Sequence, residues 1–182
     1  MKKEKIILGI DPGTNIMGYG VIKKSATNID FLYLDVIILN KTQDHHIKLK
    51  KIFTKTTELI KKFSPDEVAI EAPFFGKNPQ SMLKLGRAQG AAIIATMMKN
   101  LSITEYAPKK IKMSITGNGQ ASKEQVAGML INMLKIDKKP KYLDSTDGLA
   151  AAVCHALQNQ SLKNNKKPSW EQFIKNNPGR VK

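Results

Sequence analysis

The stretch Ile7–Ile22, ILGIDPGTNIMGYGVI, constrains this chain more than any other. An apolar run ends in a single carboxylate, Asp11. Pro12-Gly13 then turns the backbone, and a second apolar run follows. A connection this short joins antiparallel strands, because a parallel return needs a crossover of a dozen or more residues. Strands over Lys5–Ile10 and Gly18–Lys23 are therefore expected to pair. A third, Asp30–Leu39 (DFLYLDVIIL), extends the meander. A buried strand has little use for a lone charge at its end. Asp11 is a turn residue, a phosphate-loop residue or a metal ligand, and each reading implies a different protein.

The period of the pattern then changes. Over His46–Phe63, residues Ile47, Ile52, Phe53, Leu59, Ile60 and Phe63 fall near one stripe among lysines, which predicts an amphipathic helix. Ser64-Pro65-Asp66 breaks it, and Glu67–Glu71 (EVAIE) reads as a short strand ending in another carboxylate. A loop, APFFGKNP, leads into a long helix over about Gln80–Asn100. Ser102–Tyr106 reads as a fifth strand, a short helix starts at Pro108, and helices follow over Lys123–Leu134 and Leu143–Leu157. The order is β-β-β-α-β-α-β-α-α-α. It predicts an α/β domain: a mixed five-stranded sheet, three antiparallel strands then parallel additions, with helices on both faces.

A chain of 182 residues is expected to fold as one domain with a real core. Thirty lysines and arginines against fifteen acids give a net charge of +15. Such a surplus draws polyanions and predicts salt-sensitive binding to nucleic acid. The single cysteine, Cys154, rules out an intrachain disulfide. The apolar run before Asp11 is too short for a signal segment, and no apolar run is long enough for a membrane span. A cytoplasmic protein is expected.

Asp11 and Glu71 end the first and fourth strands. If those strands are neighbours, both carboxylates emerge at one edge of the sheet, where sites of open α/β sheets gather. Asp144 and Asp147 are three apart and share a helix face. Each acid has a plain alternative: a turn residue, an exposed strand end, or a helix cap with its N3 partner. Together they make a candidate set of four oxygen ligands. Four carboxylates in one cleft repel unless a cation balances them. All-oxygen ligation selects Mg²⁺ or Mn²⁺ over zinc. Two such ions activate water and stabilise the leaving oxygen of a phosphodiester. A negative cleft in a positive chain reads as a nuclease.

The blocks GIDPGTNIMGYGVI, AIEAPFFGKN, LKLGRAQGAAI, YAPKKIKMSITGNGQASKEQV and DSTDGLAAAVCH resemble the RuvC family, from about Ile6 to Ala156. Those are bacterial Holliday junction resolvases with an RNase H-like fold. The resemblance implies that Asp11, Glu71, Asp144 and Asp147 are catalytic ligands of Mg²⁺, with two ions per site. It implies DNA-binding roles for Phe74, Lys112 and Lys123, with Phe74 near the junction bases and Phe75 as packing. It also implies a homodimer on a four-way junction, paired symmetric nicks leaving ligatable 5′-phosphate ends, and cooperation with the RuvA–RuvB branch-migration machinery. The division expected is a nuclease domain over 1–160 and a basic tail over 161–182.

Other residues carry weaker expectations. Phe74-Phe75 either stack on unpaired bases or pack on the core. On the helix after them, Gly86 and Gly90 are four apart and leave a small-residue groove, so one face is free for a second subunit unless the helix is buried all round. Lys109 and Lys110 read as a solvated face. His155 lies three helical turns from Asp144 and reads as structural, and Cys154 as a small buried apolar residue. His45 and His46 begin a basic helix and cap it or face solvent. The tail has six basic residues against one acid, Glu171. It is a disordered basic arm or one that docks through Trp170 and Phe173. Two other functions compete: a non-catalytic junction-binding protein of the same fold, and an actin-like phosphotransferase or ATPase suggested by DPGTNIMGYGVI. The second needs two such domains, and only one is legible here.

Overall fold

A computed structural model describes residues 4–73, 78–137, 140–164 and 174. Five strands and five helices follow in the order β1 (Lys5–Asp11), β2 (Ile16–Lys24), β3 (Ile29–Ile38), α1 (His45–Phe63), β4 (Glu67–Glu71), α2 (Pro79–Met97), β5 (Ser102–Tyr106), α3 (Pro108–Thr116), α4 (Lys123–Leu134) and α5 (Asp144–Asn164). The sheet order is β3-β2-β1-β4-β5. β1 pairs antiparallel with β2 and parallel with β4, while β3 and β5 form the edges among the described residues.

Strand alternation sorts the side chains between two faces. Leu8, Ile10, Met17, Tyr19, Val68 and Ile70 point to one face, covered by α1 and α2 through Ile52, Leu59, Ile60, Ala88 and Ala92. Ile7, Ile22 and Ala69 point to the other, covered by α3, α4 and α5. With both faces buried, β1 and β2 read as near-continuous apolar runs.

Local chemistry sets the helix boundaries. The Asp44 carboxylate accepts the amides of His46 and Ile47 at 2.8 and 3.3 Å and starts α1, and Ser64, at φ 46°, ends it. Pro79 and Pro108 open α2 and α3 at positions where no amide is needed. Ser122 and Gln125 form a reciprocal capping box that fixes Lys123 as the first residue of α4.

Strand and helix ends shift by a residue or two from the sequence reading, and three differences are larger. α2 stops at Met97, with Asn100 turned to φ 55° before β5. α5 runs to Asn164, beyond Leu157. Ile47 stands 49% exposed at the rim of α1 rather than in its buried stripe. α2 is also not buried all round: Ala88 and Ala92 face the core, while Leu83, Ile94 and Met97 are open. A Cβ at Gly86 or Gly90 would meet nothing within 4 Å.

The decisive packing is that of α5 on β1 and β2. A Cβ at Gly18 would lie 1.9 Å from the Asp144 carbonyl oxygen, and one at Gly9 would lie 2.1 Å from that of Gly148. At Gly20 and Gly148 a Cβ would also meet backbone, at 2.3 and 2.6 Å. Removing these side chains lets helix backbone rest on sheet backbone. That contact lowers the start of α5 onto the end of β1.

Candidate active site

The parallel register pairs Ile10 with Ile70, so Asp11 and Glu71 follow side by side at the carboxyl ends of adjacent strands. Period-two alternation puts both on the face covered by α5. Ile7, Gly9 and Asp11 share that face on β1, and Glu67, Ala69 and Glu71 share it on β4. The glycine seat brings the first turn of α5 over them, carrying Asp144 and Asp147. A cleft of about 280 Å³ results, lined by all four acids together with Lys112, Lys123 and the Pro12-Gly13 turn. The structure thus brings together six of the seven residues singled out from the sequence. Phe74, and its neighbour Phe75, lie outside the described residues, as do Trp170 and Phe173.

The cleft holds more negative charge than it balances. Burial, then the charges of Glu71 and Asp147, holds the Asp11 carboxyl well above the usual carboxylate range. Burial and Asp147 push Glu71 up to about 7, against the opposing pull of Lys123 and Lys112. Asp147 is raised too, chiefly by burial. The nearest counter-charge is Lys123, whose Nζ donates to Asp147 Oδ2 at 2.6 Å and reaches Asp144 Oδ1 at 3.5 Å. Burial disfavours its ammonium, but the Asp147 hydrogen bond and the surrounding acids outweigh that and hold it protonated above the usual lysine range. Asp144 has its carboxylate directed to Lys123 at the helix start.

By chemistry the donor set suits a hard divalent cation: four carboxylates, no sulfur or imidazole, and a charge surplus that a cation would relieve. By spacing it is not closed. Among the described residues, no three acidic, histidine or cysteine side chains stand close enough together to hold one ion. An ammonium balances part of the cluster instead.

Two features of this edge are absent from the sequence reading. Lys48, one of many lysines on α1, is buried and donates to the Thr14 carbonyl at 3.1 Å, tying α1 to the turn after Asp11. The His45 imidazole is held below its usual range by burial and by the charges of Arg87, His46, Lys84 and Lys48, so the starts of α1 and α2 share a positive field. The glycine seat had a visible signal: Gly9, and Gly18 with Gly20, recur at same-face spacing in strands.

His155 is structural, as its distance along α5 suggests. Its ring bonds Tyr106 Oη at 2.8 Å and Glu67 Oε2 at 2.9 Å, and Glu67 opens β4 at the end of that strand away from Glu71. Cys154 is fully buried, and burial pushes its thiol up.

A mixed sheet of this order, with helices on both faces and acids at the carboxyl ends of its central strands, defines the class: an RNase H-like nuclease. Comparison with known proteins narrows it. The family model for the crossover junction endodeoxyribonuclease RuvC matches residues 7–155. The crossover junction endodeoxyribonuclease RuvC of Christiangramia forsetii is 57% identical over 183 residues, covering 100% of this chain and 95% of that protein. Its counterpart from Bacteroides fragilis is 56% identical, covering 99% and 97%. The Thermus thermophilus RuvC structure superposes with a TM-score of 0.76 at 29% identity, over 86% of this chain and 96% of that one. The same protein solved with a Holliday junction substrate also gives 0.76, at 26% identity and the same coverage. The chain belongs to the RuvC family.

Proposed function

We propose that this protein resolves four-way (Holliday) DNA junctions by symmetric paired nicks, hydrolysing a phosphodiester on each of two strands. The observation that carries the reading is the convergence of Asp11, Glu71, Asp144 and Asp147 in one cleft of a RuvC-family chain. These four would hold Mg²⁺, two ions per site, with Mn²⁺ as a substitute. When bound, the metal supplies an activated water and a charge sink for the leaving oxygen. The chain's own residues orient the site. The ends of β1 and β4 are a rigid mount, and the glycine seat fixes α5 over them. Lys112 and Lys123 neutralise scissile or flanking phosphates. Phe74 contacts junction bases.

The working unit is a homodimer that sets two sites on one near two-fold substrate. The open apolar face of α2, with Leu83, Ile94 and Met97, supports it. The nuclease unit is residues 1–160 and the remainder a basic tail. The protein acts in the cytoplasm with the RuvA–RuvB machinery. Among the described residues no helix is long and apolar enough to cross a membrane.

Incubation with a synthetic four-way junction, in Mg²⁺ or in EDTA, tests this directly. Paired, metal-dependent nicks are expected. In Asp11→Asn, junction binding survives while cleavage falls about a thousandfold or more. Cutting at the normal rate by that variant would remove Asp11 from the ligand set.

A further inference from the structure

We propose that Lys123 is a resident counter-ion of the carboxylate cleft, which a metal ion must displace on entering and which is thereby released to a DNA phosphate. The inference rests on the metal-ligand reading of the four acids and adds a coupling between metal and DNA.

Three observations carry it. The ammonium lies 2.6 Å from Asp147 and 3.5 Å from Asp144, bridging two of the acids the metal would use. The cleft shows no set of three acids closed around a single point among the described residues, so ligand convergence has to come with a change in the cluster. The Lys123 backbone is pinned by the Ser122–Gln125 capping box, while its side chain is 53% exposed. The side chain is therefore free to swing about a fixed anchor at the mouth of the cleft.

The electrostatics give the direction of each effect. Without metal, Lys123 relieves repulsion among buried carboxylates and so supports the fold. A divalent cation supplies that relief more fully, and ammonium and metal then repel each other at short range. Metal binding is weakened by the work of expelling Lys123. A phosphate at the mouth offers the expelled ammonium a new partner, so DNA lowers that work and metal strengthens the hold on DNA. Coupling of this kind is reciprocal.

Calorimetric titration of the intact protein with Mn²⁺ alone, set beside melting in EDTA, tests the idea. Lys123→Met is expected to bind Mn²⁺ about tenfold more tightly than the parent protein and to melt lower in EDTA. Lys123→Arg keeps the charge and is expected to retain the parent's melting point and to bind Mn²⁺ no more tightly. Unchanged or weaker Mn²⁺ binding by Lys123→Met overturns the counter-ion role while leaving the metal site in place. If Lys123→Met does not fold, Lys123→Gln takes its place, and equal Mn²⁺ affinity in it and the parent overturns the role. Failure of the parent protein and every variant to bind Mn²⁺ sinks the metal-ligand reading itself, and the inference with it.

Discussion

Two charged clusters lie at opposite ends of one helix–sheet interface, on the same face of β1 and β4 and under the same helix. At the amino ends of the strands, Glu67 is bonded by Lys5 and by His155, which also holds Tyr106. At the carboxyl ends, Asp11, Glu71, Asp144 and Asp147 line one cleft, where Lys123 pairs with Asp144 and Asp147 and acts on the other two only through its charge. The first cluster matches charge with charge. Burial raises Glu67, but the Lys5 and His155 hydrogen bonds win, and its carboxyl ends below the usual range. The second is mismatched, with Glu71 pushed up to about 7 and Asp11 held well above the usual carboxylate range. Strands, helix and side-chain types are shared, so the difference lies in what the charge serves. A matched cluster stabilises a fold, and a surplus of one sign in a cleft is held for a ligand.

The largest expected effect comes from breaking the seat that creates the second cluster. Gly18→Ala forces a methyl into the backbone of α5, 1.9 Å from the Asp144 carbonyl oxygen. The helix must lift, at a cost of roughly 3 kcal/mol. Urea unfolding should show the loss, and junction cleavage should fall with it because Asp144 and Asp147 move off Asp11. The amino-end cluster, farther along α5, should keep its Glu67–His155 contact in NMR spectra.

A smaller effect is expected from pH. Glu71 is raised in the folded state, so in metal-free protein it costs stability as pH rises from its unfolded value through about 7. Asp11 and Asp147 add in the same direction. Glu67 is depressed, so its contribution is present above its unfolded value and is lost as pH falls through the folded one. Divalent metal binds the ionised cleft. The rise in Tm that Mg²⁺ produces over EDTA should therefore grow from pH 5.5 to pH 8. A flat difference would detach the raised carboxylates from the metal.

Much of this was legible in the sequence, for identifiable reasons. The Asp11 turn forces β1 against β2, and strand-end acids announce an edge site. Both signals are local. Whether Asp11 meets Glu71 depends on β1 lying beside β4, which no local pattern states. The pairing of Lys123 with Asp147 depends on how α4 crosses α5. Gly9, Gly18, Gly20 and Gly148 were visible in the sequence but carried no reading there. Their use as a seat appears only once α5 lies across β1 and β2. Lys48 looked like any lysine of a basic helix, and only the position of the Thr14 carbonyl buries it. His155 was legible as structural from its place on α5, but Glu67 is 88 residues away in the chain.

The most direct test sets the two clusters against each other with the same chemical change. Glu71→Gln and Glu67→Gln are melted in EDTA at pH 8, and both are assayed on a four-way junction with Mg²⁺. Glu71→Gln is expected to melt a few degrees higher than the parent, a gain on the order of 1 kcal/mol, and to lose cleavage. Glu67→Gln is expected to melt lower, by about 1–3 kcal/mol of stability, and to keep cutting. A Glu71→Gln protein that melts lower and still cuts would contradict the account.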